Sequence, residues 1–401
     1  MKKKGLIIAI IAVLVAAAVL IVVLSGNKQP APVPAATDAP VATDAPAATD
    51  APAATDVPAA TDAPVESEPT EKPEEIVTSG NVVNVYNWYD YMDENVFEIF
   101  EQETGIHVNK MYFTTNEDMM VQVRVSPGAY DLVFPSDYCV ERMIAEGMLA
   151  EINFDNIPNL ANINPTLLNR DYDPENKYSV PFMWGTVGIL YNTKMVDEPV
   201  EAWSILWDEK YADSIFMLDS IRDTMGMALK FLGYSMNSRD LVELKAATDK
   251  LIEQKPLVKA YYVDETKDKM VAGEAALAVV YSGDALYAME LNEDLDYAVP
   301  MEGSNVWIDP MVIPATAKNK ENAEKLINFL CRPDIAQMNC EYIWYSSPNA
   351  AAIELMGEDY TENPTINPPQ EVIDRCEFFH DIPDNFLTIY NSFWSQVKNA
   401  R

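Results

Sequence analysis

The sequence predicts an α/β fold, and three observations carry that prediction. Val-rich runs of strand character alternate with segments whose apolar residues recur at helical spacing. The order strand, helix, strand, helix, strand opens the folded part and resumes later, which implies a parallel sheet with helices against it. Hydrophobic residues make up 49% of the 401 and aromatics 10%. About 320 residues follow an N-terminal apolar stretch and a low-complexity tract, enough for two domains of ordinary size.

From Val82 the run VVNVYNW reads as a strand. Asp93–Thr104 follows with Val96, Ile99 and Phe100 at helical spacing and acids in its first turn, and Gly105 stops it. HVNKMYF reads as the next strand, 116–125 as a helix, and YDLVFPS as a strand ending in Pro-Ser. Later, SIFMLDS is strand-like, and Ser220 with Asp223 fits the start of a helix running into TMGMALKFLGYS. AALAVVYSG is a further strand, and WIDPMVIPA another, interrupted by Pro310. Segments 318–330 and 333–342 read as helices, and NFLTIYNSFWSQVKNA as a terminal amphipathic helix.

The N-terminal end has a different character. Gly5–Leu24 is 20 residues without a charge, long enough to span a bilayer, and Lys2, Lys3 and Lys4 precede it. The positive-inside rule keeps those lysines in the cytoplasm and puts the rest outside. Residues 1–26 are therefore expected to form a basic cytoplasmic end and a transmembrane anchor. A cleaved signal peptide is the competing reading, with an unusually long apolar core and no clean A-x-A site. The first cysteine is Cys139, so no thiol is placed for N-terminal lipidation. Five six-residue repeats of the AATDAP type then run from Ala35 to Pro64. Proline in each forbids a continuous helix or central strand, and Ala, Thr and Asp supply too little apolar surface to fold. Residues 27–80 are expected to be a disordered linker. Its reach lies between ~40 Å as a coil and ~170 Å fully extended, enough to tether a domain across a cell wall.

Net charge is -35. Residues 1–30 carry four Lys (+4), and residues 31–80 carry ten acids and one Lys (-9), which leaves -30 on the remaining 321. So acidic a body repels phosphate backbones, which disfavours nucleic-acid partners, and attracts cations. His107 and His380 are the whole histidine complement, too few for a His-rich zinc site, and no CxxC pair occurs among Cys139, Cys331, Cys340 and Cys376. Cys331 and Cys340 could pair in an oxidising compartment.

In open α/β sheets, ligands meet the chain beyond the carboxyl ends of strands. Five such places stand out: Trp88–Tyr91, Ser136–Tyr138, Asp219–Asp223, Tyr281–Asp284 and Trp307–Asp309. They supply aromatic faces (Trp88, Tyr91, Tyr138, Tyr281, Trp307) and carboxylates (Asp90, Asp137, Asp219, Asp223, Asp284, Asp309). They contain no lysine and one arginine, Arg222. Carboxylates take charge-assisted hydrogen bonds from ammonium groups. Aromatic faces attract cations at ~0.5–2 kcal/mol each and cover methylenes at ~0.8 kcal/mol per buried CH₂. A linear polyamine suits that set. Taken singly, each residue has a plainer role open to it: Asp223 as a helix N-terminal acid, Asp309 as a turn residue before Pro310, the strand aromatics as core. The recurrence of acid with aromatic at five strand ends favours a site.

At these same residues the sequence resembles the spermidine/putrescine-binding proteins of ABC importers. The resemblance runs from about Val82 to Arg401, through VYNWYDY, ETGI, YDLVFPS, PFMWGT, MALKFLGYS, GDALY, IPATAKNKENAEKLINFLCRPDIA and SSPNAA. It implies a type II periplasmic-binding-protein fold, with two α/β lobes joined by crossovers and the ligand in the cleft between them. The first lobe would take residues 81–188 and 310–354, the second 191–309 and 355–401. Ligand would close the lobes about a hinge, and the closed form would dock on the permease. The site implied by the resemblance comprises Trp88, Asp90, Tyr91, Ser136, Tyr138, Asp223, Tyr281, Trp307, Asp309 and Tyr345. Asp284, in YSGD, resembles an acid of putrescine-specific members. Ser220 stands where spermidine binders often place an acid, and His380 where some members have glutamine.

The resemblance implies a non-enzymatic receptor, and the expected anchor and linker hold it outside the cell, on a surface of Gram-positive type. It is expected to be monomeric and to need no cofactor, with a polyamine and ABC permease subunits as partners. The alternatives are a receptor for another cation or a metal on the same fold, through Tyr138, Asp90 and His380, or a carbohydrate-active enzyme using paired carboxylates. A stalked adhesin or sensor is a further reading.

Overall fold

The computed structural model describes residues 80–89 and 91–400. The apolar stretch Gly5–Leu24, the repeat tract and Asp90 lie outside the described residues. No described helix is long and apolar enough to cross a membrane.

The first half of the fold opens with β1 (Val82–Trp88), α1 (Glu94–Thr104), β2 (His107–Phe113), α2 (Asn116–Val125), β3 (Leu132–Val133) and α3 (Asp137–Ala145). Strand β1 lies between β2 and β3 and runs parallel to both. It is buried on both faces from Val82 to Asn87, because it is an inner strand covered on either side. Asp93 caps α1 by accepting from the Asn95 N–H, and Gly105 ends it in the left-handed region at φ 67°. Val96, Phe97 and Phe100 then face the core, each contributing roughly 1.5–3 kcal/mol by burial. The YDLVFPS segment is a strand only at Leu132–Val133, although Asp131 and Phe134 extend its hydrogen bonds to the carbonyls of Asn84 and Tyr86. Pro135 lacks an N–H, and Ser136 is already the N-cap of α3.

Strand β4 (Ser179–Asn192) has 14 residues and joins the two halves of the sheet. It pairs with β9 (Val306–Val312) over Ser179–Thr186, then with β7 (Leu277–Tyr281) over Val187–Tyr191, antiparallel to each. The second half contains β5 (Ile215–Leu218), α4 (Ile221–Phe231), α5 (Leu241–Gln254), β6 (Val258–Tyr262), α6 (Glu265–Val271), β7, α7 (Ser282–Leu291) and β8 (Leu295–Ala298). The strand order is β2-β1-β3-β9-β4-β7-β5-β6, with β8 pairing β4. The sheet is therefore mixed. The expected parallel pairing holds within β1–β3 and within β5–β7, and it turns antiparallel where β4 leaves the first half and β9 returns.

Pro310 does not interrupt β9, contrary to expectation. It stands opposite Pro181 of β4, and the register shifts between Pro181 and Met183. Two residues without N–H groups face each other at an irregularity, so the donors they lack fall at one point of the ladder. After β9 come α8 (Lys320–Leu330), α9 (Pro333–Ile343), α10 (Ala350–Met356), two short helices α11 (Glu358–Thr361) and α12 (Gln370–Ile373), and the terminal α13 (Asp384–Asn399). All four cysteines are free thiols, so Cys331 and Cys340 are not paired. Cys340 Sγ donates to the Tyr345 carbonyl instead, at 3.0 Å.

Candidate ligand-binding site

Strand β9 carries the centre of the site. Trp307 and Asp309 are two apart on it and so share one face. They were expected beyond a strand end. They lie within the strand instead, because β9 runs antiparallel through the join between the two halves. Asp309 is 8% exposed. The Tyr91 hydroxyl donates to its Oδ2 at 2.9 Å, and the Ser136 hydroxyl also bonds it. Burial outweighs both bonds and raises its pKa to about 7.

Aromatic rings connect this carboxylate to a second one. Tyr91 meets Tyr345 at 5.9 Å between ring centroids, Tyr345 meets Trp307 at 5.1 Å, and Trp307 meets Tyr281 at 6.1 Å, all edge to face. The Tyr281 hydroxyl then donates to Asp223 Oδ2 at 3.0 Å. Tyr345 reaches this position because Gly283 lies beneath it: a Cβ there would stand 1.5 Å from the ring. The line of contact from Asp309 to Asp223 is thus continuous through four aromatic side chains.

Asp223 sits in the first turn of α4, whose N-cap is Ser220. It accepts from Ser220 Oγ at 2.6 Å and from Asn305 Nδ2 at 3.2 Å, besides Tyr281. Burial raises its pKa, and these three donors oppose the rise. The neighbouring Asp219 turns away to an ion pair with Lys398 at 2.9 Å. Arg222 donates to the His380 carbonyl at 3.2 Å and packs over the rings of Phe379 and Tyr138 at 4.3 and 5.5 Å. Among the described residues it forms no salt bridge with Asp223.

The remaining predicted residues are placed as follows. The indole of Trp88, at the end of β1, lies tilted against Phe113 at 4.4 Å. Among the described residues the buried indole N–H groups of Trp88 and Trp307 find no acceptor. Asn116 holds Ser136 and Tyr138 together, its Nδ2 donating to both hydroxyls at 3.1 and 3.0 Å. Asp137 points into the protein, accepting from the Tyr138 and Ile308 N–H groups at 2.6 and 3.2 Å. Asp284 is in the first turn of α7, 8% exposed, and pairs with Lys267 at 3.2 Å. Its pKa is raised to about 6 by burial, against the pull of that lysine. The His380 ring faces Glu141 at 3.4 Å. Among the described residues no three His, Cys, Asp or Glu side chains gather as a metal site.

Sequence reasoning missed Asn116, Asn305 and Lys267. Asn305 immediately precedes β9 and Asn116 opens α2, positions that carry no chemical signature of their own. Lys267 arrives from α6, which follows β6, a strand the sequence reading does not single out.

The fold and site define a two-lobed α/β solute receptor. The chain belongs to the bacterial extracellular solute-binding proteins, matching that family over residues 95–368. It is 38% identical over 323 residues to the spermidine/putrescine-binding periplasmic protein of Escherichia coli, covering 80% of this chain and 92% of that one. It is 29% identical to the putrescine-binding periplasmic protein SpuD of Pseudomonas aeruginosa, again over 80% and 92%. Among solved structures, it resembles the spermidine/putrescine ABC transporter substrate-binding protein PotD of Streptococcus pneumoniae. That match has TM-score 0.72 and 39% identity, and covers 79% of this chain and 98% of that one. The chain thus has the periplasmic-binding-protein fold, in a family of binding proteins.

Proposed function

We propose that this protein is a membrane-tethered extracellular receptor that captures a polyamine and delivers it to an ABC importer. One observation carries the reading: Asp309 and Asp223, both buried, are linked by the rings of Tyr91, Tyr345, Trp307 and Tyr281. Each carboxylate accepts an ammonium group, and the rings cover the methylenes between. Relatives named for spermidine and putrescine binding support the ligand class, and relatives named as ABC transporter components support permease partners.

In this reading the site comprises Trp88, Asp90, Tyr91, Ser136, Tyr138, Asp223, Tyr281, Asp284, Trp307, Asp309 and Tyr345. The lobes divide at 188–191 inside β4, at 309–310 inside β9 and at 354–355 inside α10. The uncharged stretch Gly5–Leu24 anchors the chain, and the proline-rich repeats carry the receptor away from the bilayer. The receptor works as a monomer.

Calorimetric titration of residues 80–401 with putrescine, cadaverine, spermidine and spermine tests this, with ferric citrate and a neutral sugar as controls at fixed salt. Saturable 1:1 binding of one or two polyamines is expected. Binding of ferric citrate or the sugar, with no heat from any polyamine, would sink the proposal.

A further inference from the structure

We propose that Lys267 is a built-in ammonium that limits how many charged amines the site accepts. It occupies Asp284, leaves Asp309 and Asp223 to hold a diamine, and must be displaced by a third ammonium. The inference rests on the polyamine reading above.

The geometry is specific. Lys267 Nζ lies 3.2 Å from Asp284 Oδ1 and 5.3 Å from the centroid of the Tyr287 ring. Asp284 and Tyr287 are three apart on α7, so the lysine chain crosses one face of that helix over its first turns. Asp284 directly follows Gly283, the residue on which the Tyr345 ring rests, and together with Asp309 and Asp264 it adds to the burial that raises the pKa of the Tyr345 hydroxyl. The carboxylate therefore borders the aromatic line of the site. The lysine reaches it from outside, with its side chain 32% exposed against 11% for the aspartate.

A buried carboxylate needs a cation or a proton. Lysine offers four methylenes ending in an ammonium group, which is the chemistry of one arm of a polyamine. Ligand and lysine thus compete for one acceptor on nearly equal chemical terms. Stability is a weak explanation for the pair, since a half-buried ion pair loses hydration roughly as fast as it gains attraction. Asp264 and Asp268 are exposed and also act on Lys267, so the displaced ammonium has carboxylates to turn to.

The test is calorimetric titration of the full-length protein with putrescine and with spermidine, using wild type, Lys267→Met, Asp284→Asn and the double variant. Lys267→Met should raise the ratio of spermidine to putrescine affinity about tenfold or more, because the freed carboxylate takes the third ammonium. Asp284→Asn should weaken both ligands, since it leaves Lys267 uncompensated beside them. The double variant should return the ratio to the wild-type value. Lys267→Gln repeats the measurement should the methionine variant not fold. A ratio that stays within about twofold in the lysine variants, while wild type binds putrescine, overturns the inference. A fall in both affinities at constant ratio does so too, and marks Lys267 as structural. Wild type that binds neither amine overturns the polyamine reading itself.

Discussion

Asp309 is held in β9 where water is excluded, and its chemistry follows from that. With the folded pKa raised from 3.8 to about 7, the ligand-free fold favours the neutral acid. Its contribution to stability is fully present below pH about 4 and is lost as pH rises through about 7. In the proposed site an ammonium ligand reverses the preference, because it pairs with the carboxylate. Affinity should therefore rise between about pH 6 and 7 and level off above, with a proton released on binding near neutrality. Titrations in two buffers of different ionisation enthalpy check this, and equal heats at pH 6.5 would contradict it. Asp309→Asn or Asp223→Asn should cost ~2–5 kcal/mol of binding, since each leaves an ammonium without its partner. Asp137→Asn should act mainly on stability, because its carboxylate serves the N–H groups of Tyr138 and Ile308. At this scale the sequence was informative about which side chains carry ligand chemistry and silent about what restrains them. Nothing in YSGD announces that a lysine 17 residues earlier reaches its aspartate.

Among the elements, α1 shows how much local pattern can say. Its cap at Asp93, its stop at Gly105 and its buried face can all be read from spacing. Phe100 is fully buried there and meets Phe329 of α8 at 5.3 Å. Phe100→Ala should lower stability by ~3–5 kcal/mol in denaturant titration, with binding retained by the fraction that stays folded. Strand β4 shows the opposite. Pro181, Gly185 and Gly188 break up its pattern, so the sequence does not present it as a 14-residue strand. The glycines are there for close approach: a Cβ on Gly185 would stand 2.8 Å from the Trp307 indole. That requirement belongs to tertiary packing and leaves no local trace. Helix α3 is joined by Arg142 to the start of α13 and the segment before it, through bonds to Asp381 at 2.7 Å, Asp384 at 3.0 Å and the Ile382 carbonyl. Under the proposed lobe division this arginine bridges the two lobes. Arg142→Ala should then weaken ligand binding about 3- to 10-fold while core stability changes little, measured by titration alongside thermal melting.

Over the whole molecule, the charge of -30 on residues 81–401 gives the receptor a long-range attraction for cations. The association rate of a polyamine should fall as salt is raised from about 10 to 150 mM, where the screening length shrinks from about 30 to 8 Å. A rate indifferent to salt in stopped-flow measurement would show that the surface charge serves solubility alone. The fold class is legible because its two halves repeat the same alternation of strand and helix. The antiparallel join is not, because nothing in β9 itself says which upstream strand it will meet, and its partners in β4 lie more than a hundred residues earlier. Deleting residues 1–79 should leave binding unchanged, because every described contact to Tyr91, Asp223, Asp284 and Asp309 comes from later residues.

The placement of Trp307 and Asp309 has a mechanical consequence. They belong to β9, the strand by which the chain returns from one half of the sheet to the other. In the proposed site a captured molecule grips the connecting cable itself as well as the walls on either side. Occupancy should register there as stiffness: the amide hydrogens of Trp307, Ile308, Asp309 and Met311 exchange more slowly when the site is filled, and a load applied across the two halves meets greater resistance.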